Sequence, residues 1–488
     1  MKQTQPKNGA SQVVPATNGH ISPKDYKRTD LGNAERLYDG CSEGLRYCHV
    51  LRSFLVWDGA RFELDHKGEA PVMERAKDIF KEMYTEALAI PDYEARKSLL
   101  KYALTCESKS RLENAIGLLK KDMRVAVAPH EMDRDSWLLN VGNGTLDLRN
   151  MKLLPHDHRS LITKVVPIEY DPTATCPMFK QFLLEVMDGD MELVRFIQRA
   201  VGYSLTGDVS EQVLFFLYGN GANGKGVLNR LIQRLMGDYS QVVNSDIMML
   251  SKIINAQGPT PEIAKLKGAR YVAATETTDG KRLDESKLKD LTGNDRITAR
   301  VLHGDPFEFD PTHKFWISGN YKPQISGTDY GIWRRICLIP FNVSFTPNPT
   351  GNERQRDDTI DLKLQTEMPG ILAWAVRGCS KWQNERLRPP EAVLNAVAEY
   401  RSEMDILGQF LDECTEKSPE FRTSSTELFQ AFRAWATRTG NYGFSQTKFG
   451  LEMGKRGIVK DKSMGLKRYE GIHLTTEAEQ DNSNVYRG

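Results

Sequence analysis

"LFFLYGNGANGKGVLNRLIQRLMG", Leu214 to Gly237, is the stretch on which the reading of this chain turns. Five apolar and aromatic residues with strand preference lead into a glycine-rich turn, and the turn leads into residues at helical spacing. Gly219, Asn220, Gly221, Ala222, Asn223, Gly224 and Lys225 match G-x-x-x-x-G-K. Such a loop suits phosphate. Its glycines let backbone N–H groups turn inward, the helix N-terminus adds its positive dipole end, and the lysine supplies a mobile cation. A glycine-rich turn that holds a lysine by chance is the alternative, and the strand–loop–helix context weighs against it. Gly226 stands where a Ser or Thr normally gives its hydroxyl to magnesium. That ion keeps several waters in ordinary phosphate sites, so a water can replace the hydroxyl.

Working outward, the next informative segment is "GARYVAATETTDG", a hydrophobic strand ending in Glu276, 51 residues after Lys225. A carboxylate at the tip of the strand beside the phosphate loop can hold Mg²⁺ through water or orient an attacking water. Thr275 precedes it, so a paired acid is absent and Asp279 is the candidate helper. An exposed glutamate without a role is the plain alternative. A further 44 residues on, "HKFWISGN" reads as a strand ending in Asn320, suited to polarise water or contact a γ-phosphate. "GIWRRICLIPF" then puts Arg334 and Arg335 before another strand. One arginine there suits a finger aimed at a neighbouring subunit's γ-phosphate, and a structural ion pair is the competing use. The alternation of strands (213–218, 269–275, 314–318, 335–341) with helices from 225 and near 285–292 predicts an α/β core with a mostly parallel sheet. "DRITARVLHGDPFEFDP" predicts a hairpin over about 296–310, with Gly304, Asp305 and Pro306 at its turn.

The flanks divide less sharply. Residues 1–25 are polar and read as a disordered lead, and 26–170 as an α+β N-terminal domain with helical spacing over 71–123. Residues 171–210 read as a helical collar, 211–345 as the ATPase core, 346–417 as a helical lid, and 418–476 as a winged-helix-like domain before a tail at 477–488. "DGD" at Asp188–Asp190 mimics a polymerase metal motif, but its helical flanks favour an interhelical turn. A short linker is expected near Ser418–Arg422, followed by a capping box at Ser424 and Glu427. Residues 445–474 carry seven Lys/Arg, including Lys448, Lys455 and Arg456, against three acids, which suggests DNA contact. Whole-chain composition adds only bounds. A net charge of +1 confines any nucleic-acid surface to local patches, and seven cysteines without zinc spacing read as reduced thiols. No apolar run approaches a membrane span, and the expected location is the cytoplasm.

With these motifs in series, the chain resembles superfamily 3 helicases, specifically the phage and plasmid primase–helicases related to the poxvirus primase–helicase. "GNGANGKG", "KDLTGNDRITAR", "FWISGN", "GTDYGIWRRICLIPF", "NGTLDLR" and "VGYSLTGD" carry the resemblance, which covers residues 29–475. It implies an AAA+-like P-loop ATPase core, assembled as a ring, usually a hexamer. Such a ring would couple ATP hydrolysis, with Mg²⁺, to 3′-to-5′ movement on single-stranded or forked DNA in a bacterial host cytoplasm. In that setting Lys225 binds phosphates, Glu276 assists metal and water, Asn320 senses the γ-phosphate, and Arg334 or Arg335 reaches across from the neighbour. The resemblance also makes Arg300 and His303 on the hairpin the candidate channel contacts, with Lys287 and Lys289 on the helix before it as second choices. Gly226 and the lone Glu276 depart from the family pattern. Residues 26–170 show no strand-borne pair of acids with a nearby histidine, so priming is expected from a separate chain. An ATP-regulated DNA-binding initiator without processive unwinding is the alternative.

Overall fold

The computed structural model describes residues 26–250, 260–275, 280–301, 305–325, 330–351, 353–441, 444–461, 467–476 and 478. Its centre is a five-stranded sheet of β1 (Leu214–Tyr218), β2 (Ser240–Asn244), β3 (Tyr271–Thr275), β4 (Lys314–Gly319) and β5 (Ile336–Pro340). The spatial order is β5-β1-β4-β3-β2, and every pairing is parallel. Parallel strands need crossovers and covered faces, which explains why these segments read as near-continuous apolar runs. Alternate residues of β1 go to opposite faces: Phe215 and Leu217 join one core cluster, Leu214 and Phe216 the other. Phe215, Trp316 and Tyr271 stack across β1, β4 and β3, with ring centroids 4.4 and 5.4 Å apart. That aromatic row pins the register of the three strands.

The sequence reading found four of the five strands. It missed β2, whose "SQVVN" buries one residue at the sheet edge. It also set the strand ending before Glu276 beside the phosphate-loop strand. The structure corrects this: β4 lies between β1 and β3, so Asn320 follows the strand that adjoins the loop.

One face of the sheet is covered by α1 (Pro177–Val186), α2 (Met191–Leu205), α3 (Lys225–Met236) and α5 (Met368–Glu385). The other face carries α4 (Glu285–Thr292), the hairpin Ile297–Arg300 with Pro306–Phe309, and Tyr400 of α6 (Glu391–Met404). Helices α2 and α5 approach closely enough that a Cβ at Gly202 or Gly378 would run into the facing backbone. Gln198 Nε2 adds a 2.9 Å bond to Trp374 O. The expected collar and lid therefore share one packed layer. The Asp188–Asp190 turn is interhelical: Asp190 caps α2 by accepting from Leu193 N, and Asp188 pairs with Arg354 at 2.6 Å.

Two expected boundaries move. Helices Asp30–Cys41, Ala70–Leu88, Tyr93–Cys106 and Lys109–Leu119 form their own N-terminal core with the sheet 45–64. The meander of Leu138–Val141, Gly144–Asp147 and Lys152–Leu154 instead buries Leu139, Val141 and Leu146 against the central layer, so packing crosses the boundary expected at 170. At the other end, Ser418–Arg422 is not a linker. It lies in strand Thr415–Ser424, paired with Arg468–Leu474, where a register shift between Lys417 and Arg422 surrounds Pro419. A proline beside an irregular edge reads like a loop in sequence. Helix Ile406–Cys414 packs Leu407 and Phe410 into the same C-terminal core as Phe432 and Trp435, so that unit begins near residue 406. The expected capping box does not form, because Ser424 makes no side-chain cap and its backbone is paired with Arg468. All seven cysteines are buried and none is in a disulfide, and no helix among the described residues is long and apolar enough to cross a membrane.

Candidate functional site

The phosphate loop leaves the C-terminal end of β1 and enters α3, and two of its glycines are required by geometry. Gly224 has φ of +88°, and a Cβ there would lie 2.5 Å from Val186 Cγ1. Gly219 has φ of +152°, and a Cβ there would collide with Phe341 O. Neither position tolerates a side chain without movement. Ala222, at φ +55°, accepts from Phe345 N at 2.8 Å. Asn223 Nδ2 donates to Phe341 O at 3.1 Å. The segment leaving β5 thus clamps the loop from outside. Lys225 is 6% exposed, and its Nζ donates to Gly219 O (2.5 Å), Asn220 O (2.9 Å) and Asn320 Oδ1 (3.1 Å).

Asn320 reaches Lys225 because Gly319 of β4 pairs in register with Tyr218 of β1. Residues separated by 95 positions in sequence therefore meet at the C-terminal end of the strands. Behind them is a polar relay that the sequence reading missed. Tyr271 OH donates to Asn229 Oδ1 at 2.7 Å, and Asn229 Nδ2 donates to Ser318 Oγ at 3.3 Å. Burial holds the Tyr271 phenol well above its usual range, so it remains a donor. The relay fixes α3 against β3 and β4; no motif marked these three residues.

At Gly226 a Cβ would meet only Arg230 Nη1, at 3.1 Å. Arg230 and Arg234 share the carboxylate of Asp361 at 3.3 and 2.9 Å. Glu276 and Asp279 lie outside the described residues, beyond the end of β3 at Thr275. Among the described residues, no group of three or more His, Cys, Asp or Glu side chains is placed to hold a metal. Backbone and lysine thus fit phosphate, whereas Gly226 offers a metal no side-chain oxygen.

Arg334 and Arg335 sit at the opposite, N-terminal end of the strands, where Leu214 N donates to Arg335 O. A five-residue strand puts them about 16 Å from their own loop. The two differ sharply. Arg335 is 8% exposed, with Nη1 donating to Thr292 Oγ1 (3.0 Å) and Gln212 O (3.4 Å). Burial, and then the neighbouring Arg334, lower its proton affinity. Arg334 is exposed and donates to Gln212 Oε1 at 2.9 Å.

The same end of the sheet buries three further bases. Arg270 donates to Leu205 O and Leu138 O at 2.5 and 2.7 Å, and Lys314 to Thr206 O, Asp208 O and Thr312 O. Several of these acceptors belong to the C-terminal end of α2, where unpaired carbonyls favour cations. Burial pushes both bases below their usual ranges. His313 Nε2–H donates to Leu291 O at 2.9 Å, and burial lowers its pKa to about 4.

Of the nucleic-acid candidates, Arg300 is exposed on the hairpin, its backbone N bonded to Thr260 Oγ1 at 2.9 Å, while His303 lies outside the described residues. Lys287 is exposed, 3.9 Å from Asp284, and Lys289 is half-buried on α4. In the C-terminal unit Lys448 lies over the Phe444 ring at 4.5 Å, Lys455 pairs with Glu452 at 2.7 Å, and Arg456 pairs with Asp405. Part of the basic excess read there is therefore balanced by acids.

Comparison with known proteins gives two domain matches, a D5 N-terminal-like domain at residues 34–188 and a family of unknown function, DUF5906, at residues 217–335. "Putative helicase L207/L206" of Acanthamoeba polyphaga mimivirus is 27% identical over 340 residues, covering 65% of this chain and 35% of that protein. "Putative helicase 022R" of Frog virus 3 is 28% identical, covering 62% and 30%. "Putative primase C962R" of African swine fever virus (isolate Tick/Malawi/Lil 20-1/1983) is 26% identical, covering 62% and 34%. The chain thus spans about a third of the length of these viral relatives. Among solved structures, the apo C-terminal region of NrS-1 (A form) is similar in fold, with TM-score 0.50 and 11% identity, over 89% of this chain and 98% of that one.

Proposed function

We propose that this protein, which matches a D5 N-terminal-like domain and a family of unknown function and is similar to viral putative helicases and a putative primase, is an ATP-driven replicative DNA helicase working as a ring. One observation carries the reading: Lys225 and Asn320 converge within 3.1 Å inside a glycine loop on a parallel sheet. The loop N–H groups and the start of α3 bind the phosphates, and Lys225 exchanges its carbonyl acceptors for phosphate oxygens. Asn320, beside that ammonium, holds the γ-phosphate or the attacking water. Arg334, exposed at the far end of the strands, serves the loop of the next subunit in the ring, whereas Arg335 holds its own subunit together. Magnesium, once bound, would neutralise charge on the phosphates; Glu276 is the candidate to hold it through water. The number of subunits is taken as six by resemblance.

DNA would run along the hairpin through Arg300 and His303, supported by Lys287 and Lys289. Such phosphate contacts are indifferent to sequence and weaken with salt. The C-terminal order of helix, strand, two helices and two strands supports a winged-helix unit, with Lys448, half-buried over the Phe444 ring, and the exposed Lys455 and Arg456 as its DNA candidates. Helices α5 and α6 take the place of the lid. Priming is assigned to a separate chain.

Gly226 favours one second reading, a ring that binds ATP to assemble on DNA without processive unwinding. ATPase and forked-duplex unwinding, measured together with Lys225→Ala as control, test both. The helicase reading expects both activities in the wild type and neither in the variant. Unwinding that persists in Lys225→Ala refutes the site, and DNA-stimulated hydrolysis that never unwinds a fork supports the second reading.

A further inference from the structure

Two residues past Asn320, Lys322 joins three parts of the molecule. Its side chain is 11% exposed and donates to both carboxylate oxygens of Glu403, at 2.8 and 2.7 Å. Its Nζ lies 4.7 Å from the ring centre of Tyr218 and 5.4 Å from that of Tyr400. Tyr218 immediately precedes Gly219 of the phosphate loop, and Tyr400 and Glu403 are on α6. The Tyr400 hydroxyl also donates to Pro323 O, so the segment after Asn320 is held by a second bond to the same helix. Exposed ion pairs contribute little and wander. Here the lysine end is sheltered beside two aromatic rings that attract the ammonium, and it makes two bonds to one carboxylate whose own side chain is half-exposed, so the lysine is the ordered end of the pair.

We infer that Lys322 is a positioning residue of the phosphate site, acting through Glu403 and the two tyrosines to set how Asn320 approaches Lys225. The inference rests on the nucleotide reading of the loop. Its consequence is selective. Ground-state phosphate binding uses loop N–H groups and Lys225, which Lys322 does not touch. The step that needs Asn320 within reach of the γ-phosphate depends on a segment whose anchor is Lys322. Loss of that anchor misplaces a reacting-site group, which lowers kcat far more than it weakens binding. Glu403 lies two residues before Asp405, which pairs with Arg456 of the C-terminal unit, and Gln409 Nε2 donates to Glu403 O. The same anchor therefore ties the Asn320 segment to the start of the C-terminal unit.

The test uses the full chain and three readouts: steady-state ATPase, equilibrium binding of a fluorescent ATP analogue, and melting temperature. Lys322→Ala is expected to lower kcat about tenfold to a hundredfold with analogue affinity within about threefold of wild type. Lys322→Arg, which keeps the charge and the reach to Glu403, is expected to recover most of the loss. Glu403→Gln, nearly isosteric, is expected to give a smaller loss with the same split, and it decides the question if Lys322→Ala does not fold. Unchanged kcat in both variants overturns the inference. So does affinity that falls in step with kcat, or a loss that follows melting temperature and is not rescued by arginine. A wild type that does not bind the analogue, or a Lys225→Ala variant that binds it normally, overturns the nucleotide reading and this inference with it. Normal behaviour of both beside unaffected Lys322 and Glu403 variants overturns this inference alone.

Discussion

Replacing Arg334 and Arg335 one at a time should separate a catalytic arginine from a structural one. Arg335→Ala removes a buried 3.0 Å bond to Thr292 Oγ1 and a longer one to Gln212 O. The hydrogen bond of a charged group contributes about 1.5–3 kcal/mol, and the depressed proton affinity of Arg335 shows that desolvation already offsets part of this. A net cost of about 2–3 kcal/mol follows, which lowers the melting temperature by about 4–12 °C for a domain of a few hundred residues. Arg334 is exposed with one bond to Gln212 Oε1, and its loss changes stability by about 0.5 kcal/mol at most. If Arg334 reaches the γ-phosphate of the next subunit, Arg334→Ala lowers ATPase kcat by about 10³ at unchanged melting temperature. Thermal melts and steady-state ATPase read the two effects. Mixing supplies the decisive arm: Arg334→Ala keeps an intact loop, and Lys225→Ala keeps an intact arginine. A mixed ring sets one good loop beside one good arginine, so the mixture should regain activity that neither variant has alone. Wild-type kcat in Arg334→Ala refutes the reasoning, as does a mixture that assembles and stays inactive.

Two further predictions concern single positions. Gly226→Ser meets only the flexible end of Arg230, so the variant should fold normally. If the missing hydroxyl limits the enzyme, its ATPase at low Mg²⁺ rises above wild type, and an unchanged rate means that water or a carboxylate already serves. His313, with a folded pKa of about 4 against about 6.5 unfolded, is kept neutral by burial. The unfolded chain takes up its proton first, so this residue's contribution is fully present above pH 6.5 and declines as pH falls towards 4, by about 3 kcal/mol in total. His313→Gln, which can still donate to Leu291 O, should flatten the fall in melting temperature over that window; an identical slope in both proteins would rule this out.

The parts of the fold that show in sequence are those where one chemical requirement dominates. A phosphate loop needs glycine at fixed places, and the positive φ of Gly224 and the crowding at Gly219 show why. Strands covered on both faces must be apolar throughout, which made β1, β3, β4 and β5 legible. β2 is legible only in the fold, because an edge strand needs little burial. The order of strands is hidden for a different reason: local pattern says where strands are, not which lies beside which, so the expectation that Asn320 serves the same phosphates as Lys225 comes from the motif series and the resemblance, and the neighbouring of β1 and β4 that achieves it from the fold alone. Tyr271, Asn229 and Ser318 are similar, since each is an ordinary residue made informative by its partner. The strand containing Ser418–Arg422 looks like a linker in sequence because proline and polar residues look alike at an irregular edge and in a loop. The paired state of Lys455 and Arg456 likewise depends on acids that only folding brings near.

The strand order has a consequence for how the chain is made. β1 leaves the ribosome first of the five, yet its neighbours on both sides, β4 and β5, are the last two. Between the end of β1 at Tyr218 and the start of β5 at Ile336 the ribosome must add 117 residues. At about 5–20 residues per second, that takes about 6–24 s. Until β4 (Lys314–Gly319) is made, "LFFLY", an uncharged pentapeptide, has both edges without their final partners, and the β5 edge waits for the whole interval. Helices α1 and α2 precede it and can cover one face early, through Phe179, Phe196 and Ala200. The phosphate loop is thus among the first parts of the core to be synthesised and the last to be enclosed.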